Sequence, residues 1–148
     1  MAFEIRPLAQ NETGLASRLV WHSFKPKKIS GWPRYAYHSL LATMTLDDFS
    51  PSGYYAPESY FYGAFEGKQL VGFGTARNTY VHEKAGAAKA VYVDLMLVHP
   101  QYRHQGISHG LLTAILQSKL AAGAKYVIAE RRLRTRVWSV SRIMSNLR

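Results

Sequence analysis

The sequence AVYVDLMLVHPQYRHQGIS occupies residues 90–108 and joins an apolar segment to a polar loop that contains one glycine. Residues 90–98 are almost continuously apolar and rich in β-branched and aliphatic side chains, as in a central strand covered on both faces. From residue 108 to residue 122, leucine and isoleucine recur at helical spacing. A short apolar segment follows at residues 126–129. Residues 90–129 therefore predict a strand–helix–strand unit.

The loop between this strand and this helix is a predicted anion site. Backbone N–H groups at the start of a helix have no partner within the helix, and the helix dipole is positive there. Such a terminus binds phosphate readily. Gly106 would let the backbone approach an anion closely, and Arg103 adds a fixed positive charge with forked donors. The residues themselves thus predict an anion site at residues 103–108.

The sequence RHQGIS at residues 103–108 resembles the pyrophosphate loop of the GNAT superfamily of N-acetyltransferases, which reads Arg/Gln-x-x-Gly-x-Gly/Ala. Residues 98–102 and the Leu111–Leu112 pair are also similar to the flanks of that loop. Ser108 departs from the pattern, although serine is small enough for the backbone contact to survive. The resemblance covers residues 90–129 closely, and the order of elements in residues 3–81 also fits.

The resemblance implies an α/β fold with a mixed, mostly antiparallel central sheet flanked by helices, lacking the usual C-terminal strands. We expect residues 1–148 to form one domain, in which residues 131–148 are an atypical arginine-rich segment. The implied function is an N-acetyltransferase, which transfers an acetyl group from acetyl-CoA directly to a primary amine of a small molecule or peptide. Nothing in the sequence identifies the amine or fixes the acyl length.

The resemblance also implies which residues hold coenzyme A. Backbone amides of residues 104–108 would bind the pyrophosphate, and backbone groups of Met96 and Val98 would pair with the pantetheine arm as an added strand does. A β-bulge near residues 95–97 would separate the strands at this point. The predicted cofactor residues are Met96, Leu97, Val98, Arg103, His104, Gln105, Gly106, Ile107 and Ser108.

Asp94 is the charged residue inside the apolar segment, and alternation would place it on one strand face with Tyr92 and Met96. A buried carboxylate has its pKa raised toward the range useful to a general base. Its position relative to the loop is similar to one at which some GNAT members carry a base. We therefore take Asp94 as the candidate catalytic residue. The alternative is a structural aspartate bonded to backbone or to a nearby arginine.

Other catalytic chemistry is less well supported by the sequence. There is no cysteine, and the six histidines show no paired spacing with carboxylates, so no metal site is expected. We expect His99 to be a turn residue and His104 to lie in solvent or near phosphate. Many GNAT enzymes carry a tyrosine on the helix after the fifth strand to protonate the departing thiolate, and none is found here. A catalytically impaired GNAT-fold protein that binds coenzyme A is therefore the alternative function.

The charge is concentrated at one end of the chain. The formal net charge is +10, and residues 131–148 contain six arginines and no acid. A single helix is expected there, with Val137 and Met144 on one face. A basic nucleic-acid-binding module is a further alternative, although no signature of such a module is present. If the last strands are missing, a homodimer could cover the open sheet edge, and a monomer in light scattering at micromolar concentration would contradict this.

The N-terminal half predicts a strand near residues 3–8, a helix from about Leu15 to Phe24, a helix over Trp32–Leu46 and a hairpin between residues 60 and 81. Aromatic residues at positions 21, 32, 35, 37, 54 and 55 lie where GNAT enzymes build the acceptor site, although we favour a core role for most of them. There is no apolar run of 18 residues, no secretory signal and no cysteine. We therefore expect a cytoplasmic protein with no membrane partner.

Overall fold

The computed structural model describes residues 3–12, 14–16, 18–19, 59–131 and 134–146. Residues 14–16 and 18–19 are helical. The strands are β1 (Glu4–Pro7), β2 (Ser59–Glu66), β3 (Gln69–Glu83), β4 (Gly86–Val98), β5 (Tyr126–Arg131) and β6 (Arg134–Ser139), and the helices are α1 (Ile107–Gln117) and α2 (Val140–Asn146). Short 3₁₀ turns occupy Gln10–Glu12, Pro100–Tyr102 and Lys119–Ala121.

The six strands form one sheet in sequence order. β4 and β5 are parallel, and every other neighbouring pair is antiparallel. A parallel pair needs a crossover, which α1 supplies. The α/β fold with a mixed, mostly antiparallel sheet is therefore confirmed, as is the strand–helix–strand unit of residues 90–129.

The sheet is covered on both faces in its middle strands. On one face α1 buries Leu111 and Ile115 against the sheet, in clusters that include Val71 and Val91. On the other face Leu19, from the N-terminal helical residues, packs against a cluster that includes residues of β2, β3 and β4. This two-sided burial is the physical reason for the continuous apolar character of β4.

Two element boundaries differ from the sequence prediction. The hairpin was predicted to end at residue 81 and the next strand to begin at residue 90, but β3 continues to Glu83 and β4 begins at Gly86. Gly86 has a φ of 126°, which only glycine adopts easily, so a tight turn can replace the loop. The predicted helix over residues 108–122 ends at Gln117, because Ser118 is extended and is followed by a 3₁₀ turn.

The C-terminal segment also differs, because residues 134–139 form the strand β6 where a single helix was expected. β6 pairs with β5 in antiparallel register, with Val127 opposite Trp138 and Ile128 opposite Val137. The valine, threonine and tryptophan of β6 favour a pleated strand, and the helix α2 begins only at Val140. The predicted helix over Trp32–Leu46, and the aromatic residues expected near the acceptor, lie outside the described residues.

Candidate active site

Asp94 is an extra residue in β4. Thr75 of β3 lies opposite Leu95, and the next residue, Ala76, lies opposite Val93, so that Asp94 has no cross-strand partner in the register. Two residues of one strand opposing one of its neighbour define a β-bulge, which bends the strand and redirects a side chain. A bulge was expected near residues 95–97, and it is found one residue earlier.

The pairing of β4 and β5 ends at this bulge. They pair only from Ala90 opposite Tyr126 to Val93 opposite Ala129. β5 continues for two residues but pairs there with β6. Within the part of the chain that the structure describes, the β5-facing edge of β4 from Leu95 to Val98 has no strand partner. Apart from the Val98 carbonyl, which accepts a hydrogen bond from Arg103, its backbone groups are therefore available to an extended ligand entering between the two strands.

The bulge reverses the alternation of side chains in the second half of β4. Met96 packs in the clusters on the α1 side of the sheet, whereas Leu95 and Leu97 pack in the cluster on the opposite side. Asp94 forms an ion pair with Arg77, whose guanidinium lies over the ring of Tyr92. Asp94 and Tyr92 therefore share the face away from α1. The prediction that Met96 shares this face is wrong, because simple alternation does not count the extra residue.

The predicted phosphate loop, residues 103–108, has the backbone geometry of an anion site. Gly106 is the N-cap of α1 and has a φ of 81°, and no side chain caps the helix. The intrahelical hydrogen bonds begin with the Gly110 N–H donating to the Gly106 carbonyl at 3.0 Å, so the preceding amides are available to a ligand. His104 also has a positive φ of 64°, which is uncommon outside glycine and occurs where backbone amides are turned toward a ligand.

A cavity of about 630 Å³ lies between the free edge of β4 and this loop. Its lining includes every predicted cofactor residue except Gln105, which is exposed to solvent. Tyr102 and His109 also line it. An edge with free backbone groups, a wall of helix-terminal amides and the exposed Arg103 side chain together fit a ligand with an extended arm and a phosphate group.

Asp94 lies in an environment that favours its protonated form. Its side chain is 17% exposed, and burial raises its pKa to about 6 despite the opposing effect of Arg77. The Arg77 Nε atom lies 3.3 Å from Asp94 Oδ1. The other carboxylate oxygen, Oδ2, is buried and accepts no hydrogen bond from the described residues. The site thus presents a carboxylate that takes up a proton near pH 6.

Several other residues considered from sequence have local structural partners. His99 Nδ1 accepts the Gln101 N–H at 3.1 Å, as expected of a turn residue. Arg103 Nε donates to the Val98 carbonyl at 3.3 Å, which is one of the backbone groups expected near the pantetheine arm. The Tyr126 hydroxyl donates to the Glu83 carboxylate, at the end of β5 away from the opening. The alternative interpretation of Asp94 named a nearby arginine as its partner, but sequence reasoning did not identify Arg77, because no local pattern links a residue of β3 to the bulge in β4.

Comparison with known proteins agrees with this geometry. Residues 17–136 match the acetyltransferase (GNAT) family. No curated protein is similar enough to this chain to give a match. Among solved structures, the chain is similar to diaminobutyrate acetyltransferase from Paenibacillus lautus, solved with its substrate and coenzyme A, at 16% identity and a TM-score of 0.52. The match covers 86% of this chain and 64% of that enzyme.

This chain covers a larger share of two further solved structures. PaiA N-acetyltransferase from Thermoplasma acidophilum, in complex with coenzyme A, has a TM-score of 0.59 at 20% identity, with 87% of this chain and 79% of that chain covered. An acetyltransferase from Vibrio fischeri has a TM-score of 0.59 at 18% identity, with 90% and 99% covered. The family match extends over most of the sequence, and the chain belongs to the GNAT acetyltransferase family. Within the described residues, no helix is long and apolar enough to cross a membrane.

Proposed function

We propose that this protein transfers an acetyl group from acetyl-CoA directly to a primary amine. The observation that carries the proposal is the position of Asp94. A carboxylate with a raised pKa lies at the bulge where the pairing of β4 and β5 ends, two residues before Met96, the first residue of β4 that lines the cavity. A donor bound along the free edge of β4 would therefore meet the base at the same opening in the sheet.

For the donor the chain provides the free edge of β4 and the N-terminus of α1. The backbone groups of residues 95–98 would align the pantetheine arm, with Arg103 giving up its hydrogen bond to the Val98 carbonyl, and the amides around Gly106 would hold the pyrophosphate. When bound, acetyl-CoA supplies the acetyl group as a thioester. Fixing both ends of the donor in this way places its reactive carbonyl near the bulge, which lowers the entropic part of the barrier.

On the acceptor side Asp94 acts as the general base. An ammonium group must lose a proton before its nitrogen can attack, and the carboxylate at the bulge accepts that proton, directly or through a water molecule. The new C–N bond forms as the C–S bond breaks, and the sulfur leaves as a thiolate that is then protonated by solvent. Asp94 lies on the face of the sheet away from α1, so acceptor and phosphates approach from opposite faces.

The alternative of a catalytically impaired protein that binds coenzyme A rests on the lack of a tyrosine placed to protonate the thiolate. Tyr126, the last tyrosine in the chain, donates its hydroxyl to Glu83 far from the opening, so it is not placed to protonate a thiolate. A thiol pKa of roughly 8.5 makes the thiolate a good leaving group without help. We therefore favour turnover with water as the proton source over a protein that only binds the cofactor.

The test is calorimetric titration of the purified chain with acetyl-CoA, followed by a screen of small-molecule and peptide amines for thiol release. We expect saturable binding at one site and release of coenzyme A with at least one amine. The variant Gly106→Glu places a bulky anion at a position with positive φ and should abolish binding. An absence of heat from a folded wild-type sample would refute the cofactor assignment.

The variant Asp94→Asn separates the enzyme from the impaired alternative. It removes the base but leaves the edge and the loop, so we expect turnover to fall by roughly 10²- to 10⁴-fold while the Kd for acetyl-CoA is retained. Unchanged turnover in a folded Asp94→Asn protein would remove Asp94 from the mechanism. Binding without turnover in the wild type, across the whole amine screen, would favour the impaired alternative.

A further inference from the structure

The peptide unit that ends β4 shows which backbone groups lie on the free edge of this strand. The His99 N–H donates to the Val71 carbonyl of β3 at 2.8 Å. The Val98 carbonyl belongs to the same peptide unit, and a planar trans peptide points its N–H and its carbonyl in opposite directions. The Val98 carbonyl therefore points away from β3, toward the side on which this part of β4 has no strand partner among the described residues.

The backbone of Met96 lies on the same edge. Backbone groups of a strand alternate between its two edges with a period of two residues, and the register between β3 and β4 is regular from Leu95 to Val98. The N–H and the carbonyl of Met96 and of Val98 are thus the groups that an extended arm would meet. These are the two residues whose backbone the family resemblance assigns to the pantetheine arm.

Arg103, the first residue of the phosphate loop, is bonded to one of these groups. Its Nε atom donates to the Val98 carbonyl at 3.3 Å, slightly longer than the usual range for N–H···O bonds, so the bond is weak. Arg103, Met96 and Val98 line the same cavity. The guanidinium therefore lies where the edge that would bind the arm meets the loop that would bind the pyrophosphate.

The two ends of acetyl-CoA have opposite relations to this hydrogen bond. An amide N–H of the pantetheine arm needs the Val98 carbonyl as its acceptor, so the arm competes with Arg103. The pyrophosphate instead attracts the guanidinium, because bonds between guanidinium and phosphate are charge-assisted and roughly twice as strong as bonds between neutral groups. A donor that has both parts therefore takes Arg103 from the carbonyl and provides it with a stronger partner.

We propose that Arg103 determines donor specificity by excluding thioesters that lack the diphosphate. A phosphate-free arm must displace the guanidinium from the Val98 carbonyl and leave it to solvent, whereas acetyl-CoA moves it onto the pyrophosphate. This inference rests on the proposed function, because it assumes that acetyl-CoA lies along β4 with its pyrophosphate near Gly106. It adds to that function a selection among donors that carry the same acetyl thioester.

The proposal requires Arg103 to act with opposite sign on the two kinds of donor. If Arg103 only attracted phosphate, its removal would weaken acetyl-CoA binding and leave a phosphate-free donor unaffected. If the Val98 oxygen accepted Arg103 and the arm together, through its two lone pairs, removal would weaken both donors. Exclusion alone predicts that the phosphate-free donor binds more tightly without Arg103.

The test measures binding of acetyl-CoA and of S-acetylpantetheine, which has the thioester arm but no phosphates, to the wild type and to Arg103→Met. Methionine keeps an apolar stem but donates no hydrogen bond. For acetyl-CoA we expect the Kd from calorimetry to rise roughly 3- to 30-fold, because the bonds to pyrophosphate are lost. For S-acetylpantetheine we expect the Kd from NMR titration to fall roughly 2- to 10-fold, as for removal of one competing hydrogen bond.

The matched control is Arg142→Met. Arg142 is an exposed arginine of α2 outside the cavity lining, so this variant removes the same charge and leaves the Val98 carbonyl as it is. It should raise the Kd for acetyl-CoA by less than about twofold, through long-range attraction that salt screens, and leave S-acetylpantetheine binding unchanged. An equal gain in affinity for S-acetylpantetheine in both arginine variants would overturn the proposal in favour of a general effect of charge.

The outcomes separate the selectivity from the proposed function. Wild-type protein that binds no acetyl-CoA would refute the proposed function and the selectivity with it. Wild-type protein that binds acetyl-CoA, together with an Arg103→Met variant that binds S-acetylpantetheine no more tightly than the wild type does, would refute the exclusion alone. Tighter binding of S-acetylpantetheine in Arg103→Met only, with weaker binding of acetyl-CoA, is the result we expect.

Discussion

At the scale of single residues, Asp94 combines a functional and a thermodynamic effect. Its pKa is raised by burial from the ordinary value of 3.8 to about 6. Between these two values the folded protein binds the proton more tightly than the unfolded chain does. The stability contribution of this residue is therefore greatest below about pH 4, falls as the pH rises toward 6, and stays at its lowest value above that.

The variant Asp94→Asn should accordingly stabilise the protein at pH 8, because the amide carries no buried charge. We expect the free energy of unfolding to increase by about 1–3 kcal/mol at pH 8 and the gain to disappear near pH 4. Urea denaturation at the two pH values measures both. The variant Glu83→Gln is a control of opposite sign, because the bonds from Tyr126 and Lys125 lower the pKa of Glu83. Glu83→Gln should lower the free energy of unfolding at pH 8, and this loss should disappear as the pH falls.

The pKa of Asp94 also predicts how kcat/KM falls at acidic pH. With Asp94 as the base, kcat/KM should rise through an apparent pKa of about 6. Arg77 holds that pKa below the value that burial alone would give. The variant Arg77→Gln should therefore move the limb to higher pH, measured by kcat/KM between pH 5 and 9. A limb that stays in place would mean that another group titrates.

The residue scale also shows what the sequence can and cannot indicate about the candidate site. Asp94 is recognisable because a charge inside an apolar strand requires a reason, and Gly106 because a helix that follows a polar loop needs a permissive backbone. The Arg77 partner and the face that Met96 occupies were not predictable. Both depend on the register between β3 and β4, and the bulge that sets this register leaves no local pattern in the sequence.

At the scale of elements, the junction between β3 and α1 depends on a position without a side chain. A Cβ on Gly72 would lie 2.9 Å from Ile107 Cγ2 and 3.2 Å from the Leu97 carbonyl oxygen. The carbonyl belongs to the β-ladder and cannot move aside, and Ile107 begins the helix whose terminus would hold the pyrophosphate. Gly72 thus sets how closely the start of α1 approaches the sheet.

The variant Gly72→Ala should therefore lower the free energy of unfolding by about 1–3 kcal/mol and also weaken acetyl-CoA binding. Thermal denaturation and calorimetry measure the two effects. Gly14→Ala is the matched control, because its added Cβ meets nothing within 4 Å and its residue is helical. It should be neutral or slightly stabilising. Intact affinity in a destabilised Gly72→Ala protein would show that α1 can shift without cost to the site.

Element boundaries were less predictable than element types. β4, α1 and β5 follow from apolar periodicity, and they are found where residues 90–129 indicated. The strand β6 was not expected, because an arginine-rich sequence with spaced valine and methionine fits helical spacing equally well. Pairing with β5 decides the matter, and that is a tertiary contact which no local propensity encodes.

At the scale of the whole molecule, the net charge of +10 favours any polyanionic ligand. We expect the Kd for acetyl-CoA to rise several-fold between about 50 mM and 500 mM NaCl, because screening removes long-range attraction to the phosphates. Calorimetry at both salt concentrations measures this. S-acetylpantetheine, which has the thioester arm but no phosphates, should be much less affected. The nucleic-acid alternative would regain support if an oligonucleotide displaced acetyl-CoA and its own affinity fell with salt as steeply as several phosphate contacts require.

The bulge in β4 also separates two ways in which the carboxylate can be lost during evolution. Val93 packs on the α1 side of the sheet and Leu95 on the opposite side, so deletion of position 94 would leave regular alternation, and Leu95, Met96 and Leu97 would keep their faces. The deletion would remove the bulge and make the pairing of β3 and β4 continuous. A substitution at position 94 keeps the bulge. Descendants that still bind the donor but have abandoned the chemistry should therefore carry a different residue at this position, whereas descendants one residue shorter should lose the opening together with the base.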